Sequence, residues 1–381
     1  MLYKIQKVEL LPQLNAQGNI AYGTYAGFLN TEANGNYAGL AAVSWEIDFW
    51  GKLRRLNEAA LAEYLASEAG FQNLRLAIAS EVAFLYFELR RYEASIEIAE
   101  RTVALRDSSL NLIQERYNKG IVAEIDLNQA QIQQAIAAYA VPIYVRAAGQ
   151  TENALSVLLG GFPTAIENSL PLDSLTVAVD IPVGVPSEVL LSRPDVALAT
   201  QLIVAQNARI GVAQAARFPS ISLTGVLGVS NELNDFNSGG LAWNAGASLV
   251  GPIFNWGKNK RKVEIEKVRT ESAYLNYEAV VFNAFREVED ALIAVETYEQ
   301  EVVARRNHVR AATNAQYLSS ERYDKGITSY LEYLESQRQA FDAELGLAAV
   351  QSDLLTSYIQ LYKALGGGWL TEEELENQPT E

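Results

Sequence analysis

The feature of this sequence that most constrains its fold is a long internal repeat. The segment ERYNKG at 115–120 recurs as ERYDKG at 321–326, at an offset of 206 residues. At the same offset, the WGK at 50–52 recurs at 256–258. The period is too long for a solenoid of short units, so it indicates one supersecondary unit that is duplicated once within the 381 residues.

Each repeat opens with the alternation of apolar and polar residues that is typical of β-strands. The alternating segments are 14–22, 42–49, 220–230 and 241–249. Strands of this length with one apolar and one polar face suit a membrane β-barrel, although soluble hairpins that pack on other elements are an alternative. Since membrane barrels have at least about eight strands, four strands per chain would require several chains to close one barrel.

A long helical pattern follows each strand pair. Residues 52–117 contain no proline and one glycine, Gly70. At about 1.5 Å per residue, such a helix would be roughly 100 Å long. Lysine followed by glycine, at 119–120 and again at 325–326, is a helix stop signal, and a second helical pattern begins directly after it. We therefore predict two antiparallel helical hairpins, with Pro142 breaking or kinking the returning helix of the first.

These patterns predict a mainly α fold with membrane β-strands, built from two tandem repeats. The predicted segments are repeat one at 1–161 (β-hairpin 12–50, helical hairpin 51–161), a linker at 162–186, repeat two at 187–369 (helix 187–217, β-hairpin 218–256, helical hairpin 257–365) and an acidic C-terminal tail at 370–381. Only ten residues precede Leu11, so we expect repeat one to lack a counterpart of the helix at 187–217.

Composition excludes several classes of function. The 46 acidic residues outnumber the 30 basic ones, and the net charge of −16 disfavours a nucleic-acid partner. The absence of cysteine excludes disulfides and thiolate metal sites, and a single histidine, His308, leaves little for imidazole chemistry. No run of 18 apolar residues and no signal-peptide core is visible. No catalytic constellation or phosphate-binding loop is visible either, so we predict no enzyme activity and no cofactor.

An ordered set of motifs resembles one family. The motifs are WEIDFWGKLRR at 45–55, ERYNKG at 115–120, SRPDVALA at 192–199, FPSISLTGVLG at 218–228, ERYDKG at 321–326, YLEYLESQR at 330–338 and ALGGGW at 364–369. Together they resemble the TolC-type outer-membrane efflux proteins, in the NodT-like lipoprotein branch that serves resistance-nodulation-division pumps. The resemblance implies a homotrimer with a twelve-stranded β-barrel in the outer membrane, continued by an α-helical barrel through the periplasm.

The resemblance also implies a function and partners. The chain would be a passive duct that exports small molecules such as drugs and toxic compounds, together with a periplasmic adaptor protein, an inner-membrane resistance-nodulation-division pump and outer-membrane lipid. The duct of a type I protein secretion system is an alternative, and a soluble coiled-coil scaffold would explain the helices but not the amphipathic strands. The signal peptide and lipid-bearing cysteine of that branch are absent from this sequence, so we expect a shortened chain.

The resemblance assigns a pore constriction to the start of each returning helix. Leu331 and Glu335 are one helical turn apart and would line the periplasmic entrance, where three copies of the carboxylate would form a cation-favouring ring. The matching residues of repeat one are Ile125 and Gln129, so only one charged ring is expected. The alternative is that Glu335 is an ordinary solvated helix residue.

Two further sets of residues are predicted to meet partners. By the same resemblance the hairpin tips would face the adaptor, and the tip residues are Arg116, Gly120, Arg322 and Gly326. The glycines are also expected to cap their helices. Trp45 and Trp243, in the predicted strands, are candidates for the aromatic belt at a membrane interface.

Overall fold

The computed structural model describes residues 2–23, 34–166, 170–175, 193–232 and 240–367. The chain divides into two compact units, each made from two stretches of sequence. We call residues 1–71 with 194–281 the strand unit, and residues 72–193 with 282–381 the tip unit. The predicted acidic tail at 370–381 and much of the predicted linker lie outside the described residues.

The strand unit contains a four-stranded antiparallel sheet. Its strands are β1 (Gln13–Gly23), β2 (Asn34–Ile47), β3 (Ser220–Glu232) and β4 (Gly240–Val250), and their order in the sheet is β1-β2-β3-β4. Each repeat supplies one hairpin, and the pairing of β2 with β3 joins the two repeats. Strands of 11 to 14 residues are as long as a tilted transmembrane strand requires.

The register gathers the apolar side chains of all four strands on one face. Trp45 pairs with Leu223, and Leu227 pairs with Trp243. The residues of this face include Leu14, Ile20, Val43, Trp45, Ile221, Leu223, Leu227, Val229, Leu241, Trp243 and Leu249. The opposite face carries mainly small and polar residues, among them Asn15, Gln17, Ser44, Ser222, Thr224, Asn244 and Ser248. The apolar face is exposed to a large extent, since Leu14 and Trp243 are each 73% accessible.

The helices obey the internal repeat closely. They are α1 (Leu2–Val8), α2 (Lys52–Asn118), α3 (Glu124–Leu158), α4 (Pro194–Ala215), α5 (Lys258–Asp324) and α6 (Tyr330–Ala364), with a short 3-10 helix at Leu172–Ser174. α2 and α5 have 67 residues each, and α3 and α6 have 35 each. Both ends of α5 and α6 are 206 residues from the corresponding ends of α2 and α3.

Two details differ from the expectations drawn from sequence. Repeat one was expected to lack a counterpart of the helix at 187–217, whereas the seven residues of α1 are helical and end five residues before β1, just as α4 ends five residues before β3. Of the two effects predicted for Pro142, a break or a kink, the break is wrong, because α3 continues through this residue. Pro142 is exposed, with at least 16 helical residues on either side, so a helix this long accommodates one missing backbone hydrogen bond.

In the strand unit, α4 contacts both long helices. Arg209 pairs with Glu63 of α2, and Gln206 donates to Glu266 of α5 at 2.6 Å. By length and composition α4 could cross a membrane, but these polar bonds to neighbouring helices are typical of a packed helix. The contacts place α4 against the first part of α2 and of α5.

The core of the tip unit is rich in small residues. Ala99, Ala140 and Phe341 form one buried cluster that joins α2, α3 and α6. Leu172 of the 3-10 helix packs against Ala348 and Leu355 of α6. Alanine at these contacts allows the long helices to approach closely, which is typical of coiled-coil packing with small residues.

Candidate functional site

The turns that end α2 and α5 have the same capping geometry. Gly120 and Gly326 adopt φ values of +69° and +70°. The N–H of Ile121 donates to the carbonyl of Arg116 at 2.9 Å, and the N–H of Ile327 donates to that of Arg322 at 2.8 Å. These six-to-one bonds, with glycine in the left-handed region, are Schellman motifs, as the lysine–glycine signal predicts.

The two tips pack against each other through an aromatic cluster. The buried members are Ile113, Leu127, Ala130, Tyr323, Tyr330, Tyr333 and Leu334, from all four helix ends. The rings of Tyr323 and Tyr333 are stacked with centroids 5.8 Å apart, and those of Tyr323 and Tyr330 are 5.3 Å apart. Burial raises the pKa of Tyr330, whose hydroxyl has no hydrogen-bond partner among the described residues. The tips therefore form one packed surface.

The two tip arginines make different contacts. The guanidinium carbon of Arg116 lies over the ring of Tyr323, 4.9 Å from its centroid, so this side chain is half-buried. Arg322 is exposed and pairs with Glu332 of the returning helix at 3.1 Å. Although both occupy equivalent positions in the repeat, only the charge of Arg322 is paired across its own turn.

The starts of the two returning helices also differ. Ser329 is the N-cap of α6, and its hydroxyl accepts from the N–H of Glu332. The carboxylate of Glu332 also accepts from Thr328. At the N-cap of α3 stands Ala123, which has no side-chain cap. The second tip is therefore held by side-chain bonds that the first lacks.

Leu331 and Glu335 lie on one exposed face of α6, opposite the aromatic cluster. Leu331 is 60% accessible. Arg338 donates two hydrogen bonds to the carboxylate of Glu335, at 2.6 and 3.0 Å, and a third to Asp342 at 3.3 Å. This face therefore presents a leucine followed by a row of two acids and one arginine, with a net charge of −1.

Hydrogen bonding shifts the titration of Glu335. The bond from Arg338, and then the bond from Gln339 at 2.9 Å, lower the pKa of Glu335 below its ordinary range. Glu335 is consequently ionised at neutral pH, but part of its charge is compensated by Arg338. This pairing was not predicted from the sequence, although a separation of three residues is a known ion-pair spacing on a helix.

The matching face of α3 carries no charge. Ile125 is 60% accessible, Gln129 is half-buried, and Ile132 stands where α6 has Arg338. The two returning helices thus share length and position in the repeat, but they differ in the electrostatics of their exposed faces.

A buried arginine behind the α6 face was missed by the sequence analysis. Arg106 of α2 is 2% accessible, and its Nη1 donates to the carbonyl of Gln133 at 2.6 Å. Its guanidinium carbon lies 5.1 Å from the ring centroid of Phe341. Burial lowers the pKa of Arg106. The available signal was the heptad spacing of α2, because Arg106 follows Val103 by three residues and so continues the steps of four and three that begin at Ile78.

The two candidate interface tryptophans lie on the apolar face of the sheet. Trp243 is 73% accessible, on the edge strand β4. Trp45, on β2, is 37% accessible, and its indole N–H donates to the carbonyl of Leu10 at 3.0 Å. Trp45 is therefore fixed to the backbone near α1, whereas Trp243 has open surroundings. Among the described residues no group of three or more acidic or histidine side chains is placed to hold a metal ion.

Comparison with known proteins identifies the family. The model of the family described as "Outer membrane efflux protein" matches residues 2–161 and 185–367. The solvent efflux pump outer membrane protein SrpC of Pseudomonas putida is 35% identical over 382 residues, which cover 97% of this chain and 80% of that protein. Outer membrane protein OprJ of Pseudomonas aeruginosa is 34% identical over 378 residues, covering 96% and 78%.

Solved structures agree with the sequence comparisons. The open state of the MtrE outer membrane channel of Neisseria gonorrhoeae superposes with a TM-score of 0.87 at 32% identity, covering 96% of this chain and 83% of that one. The predicted fold class is confirmed by this likeness. Because the family model matches most of the sequence, and relatives above 30% identity extend over nearly all of it, the chain belongs to the outer membrane efflux protein family.

Proposed function

We propose that three copies of this chain close one twelve-stranded β-barrel, which forms the outer-membrane duct of a tripartite efflux system. The observation that carries the proposal is the four-stranded sheet with one apolar face and two edge strands, β1 and β4. In lipid, an open sheet edge leaves backbone groups without hydrogen bonds, which costs several kcal/mol for each group. The edges must therefore be paired by other copies.

The number of copies follows from strand number and from the family. Membrane barrels have at least about eight strands, so one chain with four strands is insufficient. In a closed ring, β4 of one copy would pair with β1 of the next, and the apolar face would meet lipid all round. Three copies give the twelve strands that the resemblance implies, with the mainly polar face toward the lumen.

The constriction is assigned to the start of α6. Leu331 would narrow the periplasmic entrance, and Glu335 one turn further would set its charge. Both side chains are exposed on one face of α6, which leaves them available to face the axis. Ile125 and Gln129 would lie in the same layer without adding charge.

The packed tips are assigned to the periplasmic adaptor, which would connect the duct to an inner-membrane resistance-nodulation-division pump. Gly120 and Gly326 expose the turn backbone, and Arg322 offers a charged side chain beside them. The named relative SrpC is a solvent efflux protein. We extend that substrate class to this chain and propose small apolar molecules as the exported cargo.

The oligomeric state tests the proposal directly. Analytical ultracentrifugation of the full chain in detergent should give a protein mass of three times 41.8 kDa. Leu14→Lys, on the apolar face of an edge strand, should impair membrane insertion, while Gln17→Lys on the opposite face of β1 should be tolerated. A stable, folded monomer that inserts into bilayers would overturn the proposal.

A further inference from the structure

The junctions between strand and helix differ in charge between the two repeats. At the start of α2 every nearby cation is paired: Lys52 with Glu46 at 3.3 Å, Arg54 with Asp48 at 3.1 Å, and Arg55 with Glu58 at 2.6 Å. The charge of each basic side chain at this junction is therefore compensated by an acidic side chain of the same repeat.

At the start of α5, two of the acids that pair with cations in repeat one have no acidic counterpart. At the offset of 206, Pro252 stands in place of Glu46, and Phe254 stands in place of Asp48. The cations have instead increased in number, and they are Lys258, Lys260, Arg261 and Lys262. All four are exposed, and none of their side chains makes a hydrogen bond or ion pair with a described residue. Arg217 lies nearby, since Asn259 donates to the adjoining carbonyl of Ala216 at 3.0 Å.

These unpaired cations do not stabilise the helix on which they stand. The N-terminus of a helix carries partial positive charge, so cations in its first turn are unfavourable. The chain as a whole is strongly acidic, with a net charge of −16. A local excess of exposed positive charge in such a chain therefore points to an anionic partner.

Exposed aromatic and apolar side chains adjoin the cations. Trp256 is 84% accessible, and its ring meets that of Phe254 edge to face at 4.3 Å. Ile253 is fully exposed. In repeat one the equivalent Trp50 is held instead, by a 2.8 Å hydrogen bond to the carbonyl of Pro219 and by stacking on Phe218. Trp256 is therefore about twice as exposed as Trp50, which is 43% accessible.

The position of this patch is that of a membrane surface. The strands of this outer-membrane protein end at Val250, and the four cations follow within twelve residues on the periplasmic, helical side. Aromatic rings and basic side chains at that level suit the boundary between acyl chains and headgroups.

We propose that the start of α5, with Phe254 and Trp256, binds anionic phospholipid headgroups of the periplasmic leaflet. The phosphodiester would meet Lys258, Lys260, Arg261 and Lys262, and the aromatic rings would lie against the upper acyl chains. Each basic residue at an anionic surface changes association by about fivefold. The inference uses the outer-membrane placement of the strands and does not depend on the proposed constriction.

The test measures lipid selectivity of the full chain reconstituted in phosphatidylcholine bilayers. Electron paramagnetic resonance of spin-labelled phosphatidylglycerol and spin-labelled phosphatidylcholine gives their relative association with the protein. We expect a severalfold preference for phosphatidylglycerol that weakens as salt is raised. Replacing the four cations of α5 by Gln should abolish this preference, with bilayer conductance unchanged.

Two further variants make the test specific. Lys52→Gln with Arg55→Gln removes paired cations from repeat one and should leave the preference unchanged. Phe254→Asp restores the acid that repeat one has at this position, and it should lower the preference while all four cations remain. The proposal is overturned if wild type shows no preference, or if the quadruple variant keeps it. It is also overturned if inorganic phosphate abolishes the preference at an ionic strength where chloride does not, which would indicate a site for free phosphate.

Discussion

The two helical hairpins have equal lengths and the same C-caps, yet their returning helices present different chemistry. α3 carries Ile125, Gln129 and Ile132 on its exposed face. The corresponding residues of α6 are Leu331, Glu335 and Arg338, so only α6 has charged side chains there. The caps persist in both because a left-handed residue is needed wherever the chain reverses. The exposed faces of the returning helices are not constrained by backbone conformation in this way, so each repeat can acquire a different partner.

The junctions between strands and helices teach the same lesson. In repeat one, Asp48 accepts from the N–H groups of Leu53 and Arg54, both at 2.9 Å, and so caps α2. Burial works to raise the pKa of Asp48, but these bonds and the Arg54 guanidinium together outweigh it and hold the pKa below its ordinary value. In repeat two Phe254 takes this position. Repeat one therefore has a stabilising side-chain cap at this position, and the phenylalanine of repeat two cannot provide one.

The largest effect is expected where the two repeats join. A Cβ on Gly228 of β3 would lie 2.1 Å from the carbonyl oxygen of Gly39 on β2, and backbone cannot move aside cheaply. Gly228→Ala should therefore cost about 3 kcal/mol or more of unfolding free energy, or prevent folding of the sheet. Chemical unfolding followed by circular dichroism measures this.

A glycine on the same sheet face provides the control. A Cβ on Gly246 meets Thr224 at 3.7 Å, an ordinary contact, so Gly246→Ala should be nearly neutral. Equal effects of the two substitutions would show that the close approach of β2 and β3 is not as described.

The second effect tests what the hairpins share. Gly120→Ala and Gly326→Ala meet no atom within 4 Å, so their cost is backbone strain alone, about 1 to 2 kcal/mol each. The two losses should be similar. Gly149→Ala, inside α3 and equally free of contacts, should instead stabilise by up to about 1 kcal/mol. Thermal unfolding of the three variants measures these changes. A loss of stability in only one of the two cap variants would contradict the prediction that both caps contribute equally.

The third effect tests what the hairpins do not share. Ser329→Ala removes the N-cap of α6 and should cost about 1 kcal/mol, while Ala123→Ser should add a cap to α3 and stabilise by a similar amount. Amide hydrogen exchange in the first turn of each helix reports this locally. Unchanged exchange in both variants would mean that side-chain capping does not distinguish the tips.

The smallest effect concerns the aromatic cluster between the tips. Tyr330→Phe removes a buried hydroxyl that lacks a partner, so stability should rise by about 1 kcal/mol or less. Because burial raises the pKa of Tyr330, stability is unaffected below its ordinary value of 10.0 and falls above it, as the unfolded state ionises first. Tyr330→Phe should reduce this alkaline loss. A larger loss in the variant would contradict the placement of the hydroxyl.

Local signals predicted much of this fold. Lysine–glycine stops located both tips, and period-two alternation located four strands, because backbone conformation and burial act on neighbouring residues. The pairing of β2 with β3 was not predictable, since it joins residues between 174 (Ile47 and Ile221) and 196 (Asn36 and Glu232) positions apart. The helix break predicted at Pro142 is absent because a helix as long as α3 tolerates the loss of one backbone hydrogen bond. Arg106 was missed because a cation in an apolar seam shows its role only when Gln133 and Phe341 are placed around it.

The candidate site was predicted at the level of positions but not of partners. The one-turn spacing of Leu331 and Glu335 put both on one face of α6, where the structure has them exposed. Arg338 follows Glu335 by three residues and was visible in sequence, yet its rotamer decides whether it bonds that carboxylate. Such choices depend on the tertiary surroundings of flexible side chains.

The assignment of α6 to the constriction is tested most directly by ion selectivity in planar bilayers. Under a salt gradient, the reversal potential of the full-chain channel should show a modest cation preference, because Glu335 and Asp342 outnumber Arg338 at each copy. Glu335→Gln should abolish the preference, Arg338→Gln should increase it, and Gln129→Glu should increase it through a second ring. If Glu335→Gln and Arg338→Gln both leave the reversal potential unchanged, this face of α6 does not line the constriction.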